Sequence, residues 1–309
     1  MILRPFRLTV ASGGFGSRRS GSSSSSRRME LIGTLRVFGP DSNGIVAACT
    51  QLLGRYGCGI VNSETWSDRT DHQFFQRIAF TYPSNVEKEQ CQRQLDTICR
   101  SFSLQSQLNW RDKKPKVGIL VSKYDHCLWE LLLRHSAQEL DMDIQCVISN
   151  HPNLQKVAET FSIPFHVVPI TPETKHQQEL RQMEYLEHVD VVVLARYMQV
   201  LSSQFMLQFP HRIINIHHSF LPAFSGAQPY HRAWDRGVKL IGATAHYATV
   251  DLDEGPIIQQ DVIPVSHRDE IHDLLQKGRI LERNVLLKAL EAHLDDRVIV
   301  HKNRCVVFG

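Results

Sequence analysis

Four short apolar runs alternate with amphipathic segments between residues 117 and 216, and this alternation restricts the fold more than any other feature of the sequence. The runs are VGILV (117–121), MDIQCVIS (142–149), DVVVLA (190–195) and RIINI (212–216). Mostly apolar runs of this length are typical of strands that are buried on both faces. Helical patterns such as CLWELLLRH and HQQELRQMEYL separate them. Strands that alternate with helices predict βαβ units and a Rossmann-like parallel sheet.

Further elements follow this predicted sheet. KLIGATAHYA and PIIQQDVIPV predict two more strands, a helix is expected from about Asp269 to His293, and VIVHKNRCVVF predicts a closing hairpin. Ligands of parallel sheets bind at the carboxyl ends of the strands. We therefore expect functional residues where the apolar runs end.

Residues 30–111 predict a smaller unit of a different kind. LRVF, GIVNSETW, FFQRIAFTY and SLQSQLNW are predicted strands, and helical patterns follow the first and the third of them. The order β-α-β-β-α-β is that of a ferredoxin-like α+β sandwich. We expect GPDSN (39–43) to cap the first helix, and Ser84 with Glu87 to form a capping box at the second.

The charged, proline-containing segment RDKKPK (111–116) is the predicted domain boundary. The expected organisation is a leader over residues 1–29, a ferredoxin-like domain over 30–111 and a parallel-sheet domain over 112–309.

The leader is defined by its composition. Residues 1–29 contain six Arg, eight Ser and no acidic residue. An N-terminus of this kind is typical of an organellar transit peptide, whereas a secretory signal has an apolar centre. We expect mitochondrial rather than plastid targeting, and an untargeted Ser-rich tail is the alternative.

Charge and cysteine content exclude several classes of protein. The net charge is +3, but outside the leader 29 basic residues stand against 32 acidic ones, so we expect no nucleic-acid partner. No apolar run approaches the roughly 20 residues of a membrane helix, and we expect no membrane association. Seven scattered cysteines without a CxxC pair predict reduced thiols, with neither a disulfide framework nor a cysteine-based zinc site.

Polar residues end the run RIINI, in the stretch NIHHSFLP. Because side chains alternate along a strand, Asn215 and His217 share one face, and we expect His218 on the other face in a packing or hydrogen-bonding role. An amide can donate to a developing oxyanion, and an imidazole can move protons near neutral pH. A purely structural role for a histidine at a strand end is the alternative.

A second polar group ends the strand KLIGATAHYA. The segment HYATVDLDEGP carries His246, Asp251 and Asp253 before Gly255-Pro256. A carboxylate here can orient an imidazole or hold a water beside it, and ordinary turn chemistry is the alternative. Three histidines also allow a zinc site in principle, but their spacing fits no common motif and we expect no metal.

The stretch NIHHSFLPAFSGAQPYHRAWDRGVKLIGATAHYATVDLDEGPII resembles the signature of formyltetrahydrofolate-dependent enzymes of the formyltransferase fold. The Asn-x-His before a Leu-Pro loop falls on Asn215 and His217, and the Asp seven residues after a second His falls on Asp253. An ACT-like domain with the turn PDSNGI (40–45) makes the chain most similar to the deformylase branch. The resemblance covers essentially everything after residue 30.

This resemblance implies 10-formyltetrahydrofolate as the substrate, with no separate cofactor. The implied catalytic residues are Asn215, His217 and Asp253, and the implied substrate-binding residues are Arg196, Tyr197, Met198 and His246. An ACT-like domain implies a homo-oligomer with an amino-acid site near Asp41, Asn43 and Gly44. A dimerisation module without an effector is the alternative.

The loop after VGILV distinguishes hydrolysis from transfer. The related glycinamide ribonucleotide transformylases have a Gly-Ser-Asn loop there that binds the acceptor's phosphate. Here VSKYDHCLWELL (121–132) has no glycine and carries the bulky Tyr124, so backbone amides cannot easily close on a phosphate. We expect water as the formyl acceptor. A transferase with another acceptor and a non-catalytic amino-acid sensor are the alternatives, whereas no G-x-G-x-x-G supports a dehydrogenase.

Overall fold

The computed structural model describes residues 31–223 and 229–309. Leu31–Gly309 form one compact unit. The predicted transit peptide, residues 1–29, lies outside the described residues. Within the described ranges, no helix combines the length and the apolar character needed to cross a membrane.

The N-terminal part of the described chain is a four-stranded sheet with two helices. Its elements are β1 (Leu31–Pro40), α1 (Ile45–Arg55), β2 (Gly59–Asp68), β3 (Gln73–Tyr82), α2 (Lys88–Phe102) and β4 (Gln105–Asn109). The strand order is β2-β3-β1-β4, and every pair is antiparallel. The helices bury Cys49, Leu53, Cys91 and Leu95 in a common core with the sheet. The ferredoxin-like arrangement is confirmed.

Both predicted helix caps in this region are wrong. Helix α2 begins at Lys88 with Glu87 as its N-cap and no side-chain capping bond, and it is preceded by a turn in which the N–H of Val86 bonds the carbonyl of Pro83. Helix α1 starts from Gly44 at φ +96°, also without a side-chain cap. Glycine adopts this left-handed conformation without steric cost, so the backbone alone turns the chain into α1.

A seven-stranded sheet forms the core of the remaining chain. Its strands are β5 (Lys116–Val121), β6 (Asp143–Ser149), β7 (Phe165–Val167), β8 (Val191–Leu194), β9 (Ile213–His217), β10 (Leu240–Tyr247) and β11 (Ile257–Pro264). The spatial order is β11-β10-β9-β8-β5-β6-β7. Strands β5 to β9 are parallel, which confirms the Rossmann-like part of the prediction.

The last two strands of the sheet, whose direction the sequence does not predict, run differently from the rest. Strand β10 is antiparallel to both β9 and β11. Only residues 248–256 connect β10 to β11, and a parallel pair needs a crossover of about a dozen residues or more. The sheet is therefore mixed.

Helices cover this sheet, and a hairpin closes the chain. They are α3 (His126–Ser136), α4 (Gln155–Thr160), α5 (Lys175–Tyr185), α6 (Ser203–Gln208), α7 (Pro229–Arg236) and α8 (Ile271–Leu294), with the hairpin strands β12 (Val298–His301) and β13 (Arg304–Val307). The sequence patterns missed β7 and α7, which span only three and eight residues. The seven cysteines are all free thiols.

The C-terminal hairpin and the end of α8 pack on the four-stranded sheet. Asp296 pairs with Arg36 at 3.0 Å, and its second carboxylate oxygen accepts bonds from Thr34 at 2.6 Å and Asn109 at 3.0 Å. We call these four residues the junction cluster. Beside it, Phe75 is buried by Ile299 and Phe308 of the C-terminal segment.

Candidate active site

A cavity of about 540 Å³ opens at the carboxyl ends of β8 and β9. The loop after β5 and the loop that joins β10 to β11 also contribute to its wall. Its polar lining residues are Tyr124, Arg196, Tyr197, Gln199, Asn215, His217, His218, Tyr230, His231, His246, Thr249 and Asp253. This is the edge where parallel sheets bind ligands. The volume suits one ligand of drug-like size.

His217 and Asp253 form the central pair of the site. Nδ1 of His217 lies 3.2 Å from Oδ1 of Asp253, and this hydrogen bond lowers the pKa of the carboxyl, so Asp253 is ionised at neutral pH. Nε2 of His217 is buried and has no hydrogen-bond partner among the described residues. An imidazole that is hydrogen-bonded at one nitrogen and has no partner at the other is able to accept and return a proton.

Asn215 is oriented by His246. Nδ1 of His246 lies 3.0 Å from the carbonyl of Tyr247, which can only accept, so this nitrogen carries the proton. Burial lowers the pKa of His246 and keeps the ring neutral, and its Nε2 therefore accepts from the Asn215 amide at 3.2 Å. The second N–H of that amide is left for a ligand oxygen. We call Asn215, His217, His246 and Asp253 the site cluster.

The loop that carries Asp253 is held close to β10. A Cβ on Gly255 would lie 1.8 Å from the carbonyl oxygen of Tyr247, so only glycine permits this approach. Asp253 itself has φ +59°, a left-handed conformation that aspartate tolerates better than most residues. The sequence Asp-x-Gly-Pro thus sets the position of the carboxylate.

The loop after β8 carries Arg196, Tyr197 and Met198, and their surroundings differ. Arg196 has φ +62°, and its guanidinium lies over the Tyr124 ring with its Cζ atom 4.9 Å from the ring centroid. Tyr197 is buried and its hydroxyl accepts from Gln182 at 2.8 Å. The side chain of Met198 is exposed at the cavity, but its backbone N–H already bonds Oγ of Ser122 at 3.0 Å.

His218 lies where the sequence pattern did not place it. Strand β9 ends at His217, so the alternation of faces stops there and His218 lines the same cavity as its neighbour. The two rings are 5.2 Å apart. Burial, with the nearby charge of Arg196, lowers the pKa of His218 to about 3 and keeps it neutral.

Glu282 of α8 lies behind the side of the cavity that Arg196 and Tyr230 line, and the sequence analysis did not identify it. Its carboxylate accepts from Nε2 of His126 at 2.7 Å and from the hydroxyl of Tyr230 at 2.7 Å, and it pairs with Arg196 at 3.3 Å. Burial alone would raise the pKa of Glu282, but the bond from His126 and the charge of Arg196 lower it below its usual value. We call Glu282, His126, Arg196 and Tyr230 the wall cluster.

The only group in the described part of the chain with the spacing of metal ligands is His126, Cys127 and Glu282. His126 and Glu282 are bonded to each other, and burial raises the pKa of Cys127 so that its thiol keeps its proton. The three histidines of the zinc alternative do not form such a group.

The predicted effector residues lie in an exposed turn. Asp41, Asn43 and Gly44 precede α1, and the N–H of Asp41 bonds the carbonyl of His72 at 2.9 Å. The turn is thereby tied to the start of β3.

Known proteins share this architecture. Residues 115–290 match the formyl transferase family. A formyltetrahydrofolate deformylase of Synechocystis sp. is 46% identical over 282 residues, which are 90% of this chain and 99% of the relative. The crystal structure of a formyltetrahydrofolate deformylase from Pseudomonas syringae pv. tomato superposes with a TM-score of 0.87 and 42% identity, over 92% of this chain and 96% of that one. A glycinamide ribonucleotide transformylase from Symbiobacterium toebii has a TM-score of 0.60 and 28% identity, over 63% of this chain and 95% of its own.

The chain belongs to the formyl transferase family. Within it, the chain belongs to the formyltetrahydrofolate deformylases, because the relatives of that name match it along about nine-tenths of its length.

Proposed function

We propose that this protein hydrolyses 10-formyltetrahydrofolate to tetrahydrofolate and formate. The observation that carries the proposal is His217 at the cavity wall, bonded to the ionised Asp253 through Nδ1 and without a hydrogen-bond partner at Nε2 among the described residues. The resemblance to deformylases supplies the substrate. The folate is itself the substrate, so the reaction needs no cofactor.

The site cluster supports the following sequence of steps. A water beside Asp253 attacks the formyl carbon, and the free N–H of Asn215 donates to the oxygen as it becomes an oxyanion. Nε2 of His217 takes the proton of the water and passes it to N10 as the C–N10 bond breaks. The products are tetrahydrofolate and formic acid, which ionises to formate.

The folate has an apolar surface to bind against. Leu194, Met198, Val200, Leu201, Met206 and Val250 line the cavity beside the polar residues. The backbone N–H of Met198 is already bonded to Ser122, so backbone contacts to the pterin would come from other groups of this loop. We propose Arg196 as a wall residue of this site, with Tyr197 supporting the loop from the core.

The test is product analysis without an acceptor. Full-length protein and 10-formyltetrahydrofolate should give formate and tetrahydrofolate in equal amounts, and Asp253→Ala should give little of either. Folate binding without formate release would contradict the proposal. It would favour the second candidate, a transferase, which the similarity to a glycinamide ribonucleotide transformylase suggests.

The remaining proposals concern regulation and location. We propose that residues 30–111 form an ACT-like domain, that the turn of Asp41, Asn43 and Gly44 binds an amino acid and that the protein is a homo-oligomer. Titration of amino acids against formate release tests the effector site, and no response to any of them would leave assembly as its role. The composition of residues 1–29 supports mitochondrial targeting, which a fusion of these residues to a fluorescent protein would test.

A further inference from the structure

The wall cluster joins three separate elements at one carboxylate. His126 begins α3, Arg196 follows β8 and Tyr230 lies in α7. Each is bonded or ion-paired to Glu282, which is 1% exposed. A buried carboxylate with three such partners fixes their relative positions, because moving any one of them leaves a charge or a polar group unpaired in the interior.

The helix that carries Glu282 is shaped to accept Tyr230. Gly278 lies one turn before Glu282, and a Cβ at this position would lie 2.1 Å from the Tyr230 hydroxyl. Glycine weakens a helix interior relative to alanine, yet here it makes room for the ring whose hydroxyl Glu282 accepts. Gly278 therefore leaves space for the Tyr230 side chain against α8, and Glu282 binds its hydroxyl there.

The partners of Glu282, and not Glu282 itself, face the cavity. Arg196 and Tyr230 line it, and Tyr124 covers the Arg196 guanidinium from the loop after β5. The Tyr230 ring in turn lies 6.0 Å from the ring of His218. This side of the cavity is the loop region where a phosphate-bearing acceptor would need open backbone amides.

We propose that Glu282 is a positioning residue that makes the site specific for water, by holding Arg196 and Tyr230 as a wall that leaves no space for an amine beside the formyl group. The inference rests on the proposed hydrolysis. A loosened wall lets an amine compete: its nitrogen bonds to the formyl carbon, the C–N10 bond breaks, and the proton lost by the amine passes through His217 to N10.

The experiment measures how formyl groups partition between two acceptors. Full-length protein is given 10-formyltetrahydrofolate and an excess of glycinamide, a small primary amine, and N-formylglycinamide and formate are quantified in the same reaction. The variants are Glu282→Gln, which removes the charge at equal size, and Tyr230→Phe, which removes only the hydroxyl. Glu291→Gln on the same helix is the matched control. The ratio of the two products does not depend on how much protein folds.

We expect Glu282→Gln and Tyr230→Phe to raise the ratio of N-formylglycinamide to formate by roughly tenfold, the lower end of what a methylene-sized change in a pocket contributes to discrimination. The control should keep the ratio of the unmodified protein. Lower rates at an unchanged ratio would overturn the inference and leave Glu282 a structural role only. If the unmodified protein formylates glycinamide and releases no formate, or forms neither product, the proposed hydrolysis fails and the inference fails with it.

Discussion

The junction cluster and the site cluster are both groups of polar side chains built around one aspartate, but they differ in how completely their buried members are bonded. Both carboxylate oxygens of Asp296 have partners within the described protein, at 2.6 to 3.0 Å. In the site cluster, Nε2 of His217 has none. Buried polar atoms without a partner cost stability, so they persist where a ligand or a reacting group provides the partner.

From this difference we can predict whether a substitution in each cluster will change stability or turnover. A substitution in the junction cluster removes bonds that hold the segment after α8 on the four-stranded sheet and should change the free energy of unfolding. A substitution in the site cluster removes bonds that hold a reacting group and should change turnover. Variants that separate these two effects test the comparison.

The largest effect is expected for Asp253→Asn. An amide in this position can donate an N–H to Nδ1 of His217. This favours the tautomer that carries its proton on Nε2, and that nitrogen can then no longer accept a proton from water. General acid–base catalysis contributes about 10² to 10⁴ in rate, and we expect turnover to fall by a factor in this range. Formate release at saturating folate measures it. Asp251→Asn, an exposed carboxylate in the same loop, should retain full activity.

Asn215→Ala should have the next largest effect. Loss of one oxyanion donor lowers kcat by about 10² to 10³, and the thermal midpoint should stay close to that of the unmodified protein. Stopped-flow kinetics together with a thermal melt distinguish the two quantities. Turnover at the original rate would remove Asn215 from the proposed mechanism.

Asp296→Asn should lower stability and leave turnover unchanged, which is the opposite of the result expected for Asn215→Ala. The change keeps the shape but removes the charge that pairs with Arg36, and a hydrogen bond to a charged group contributes about 1.5–3 kcal/mol. We expect a loss of this size in the free energy of unfolding, measured in urea, with unchanged activity per folded molecule. Asp295→Asn, at a neighbouring carboxylate that is half exposed and lies 3.5 Å or more from its nearest cations, is the control and should change stability by about 0.5 kcal/mol at most. A loss of kcat without a loss of stability would break the comparison.

The smallest expected effect is a pH dependence of the free energy of unfolding, which arises from His293 near the junction cluster. Burial lowers the pKa of His293 to about 4, whereas a histidine in an unfolded chain has a pKa of about 6.5. Below about pH 6.5 the unfolded chain therefore binds a proton that the folded chain does not, so stability falls as the pH falls toward about 4, by at most about 1.4 kcal/mol per pH unit for this group.

His293→Gln should make this decline less steep, because glutamine keeps a polar partner for the Tyr247 hydroxyl without titrating. Urea unfolding at several pH values between about 7 and about 5 measures the slope. An equal slope in both proteins would show that other groups, His218 among them, account for the acid sensitivity.

The sequence predicted the architecture and most of the cavity because both depend on local patterns. Apolar runs predict strands, and the ends of parallel strands share one edge, so polar residues at the end of β9 were expected to form a site. Asp253 follows β10, which is antiparallel to β9, so that rule does not place it, and its resemblance to the family pattern identified it. Glu282 could not be found in this way, since it is 156 residues from His126 and 52 from Tyr230. In the sequence it is one glutamate in a helix, and only tertiary packing distinguishes it from its neighbours.

His218 and the helix caps were missed for a local reason. Strand β9 ends one residue before His218, and an alternation rule applied one residue too far assigns the wrong face. At Ser84 the composition of a capping box was present, but a turn that starts at Pro83 precedes the helix, and the N-cap lies three residues later, at Glu87. Element ends depend on single hydrogen bonds that periodicity does not reveal.

The packing of Phe75 against Ile299 and Phe308 has a consequence for synthesis of the chain. The ribosome completes the four-stranded sheet long before it adds the segment that buries this ring. At about 5–20 residues per second, Phe75 waits on the order of tens of seconds for its cover. During that time the nascent chain exposes the apolar surface that Ile299 and Phe308 later cover, and exposed surface of this kind makes incomplete chains prone to aggregate.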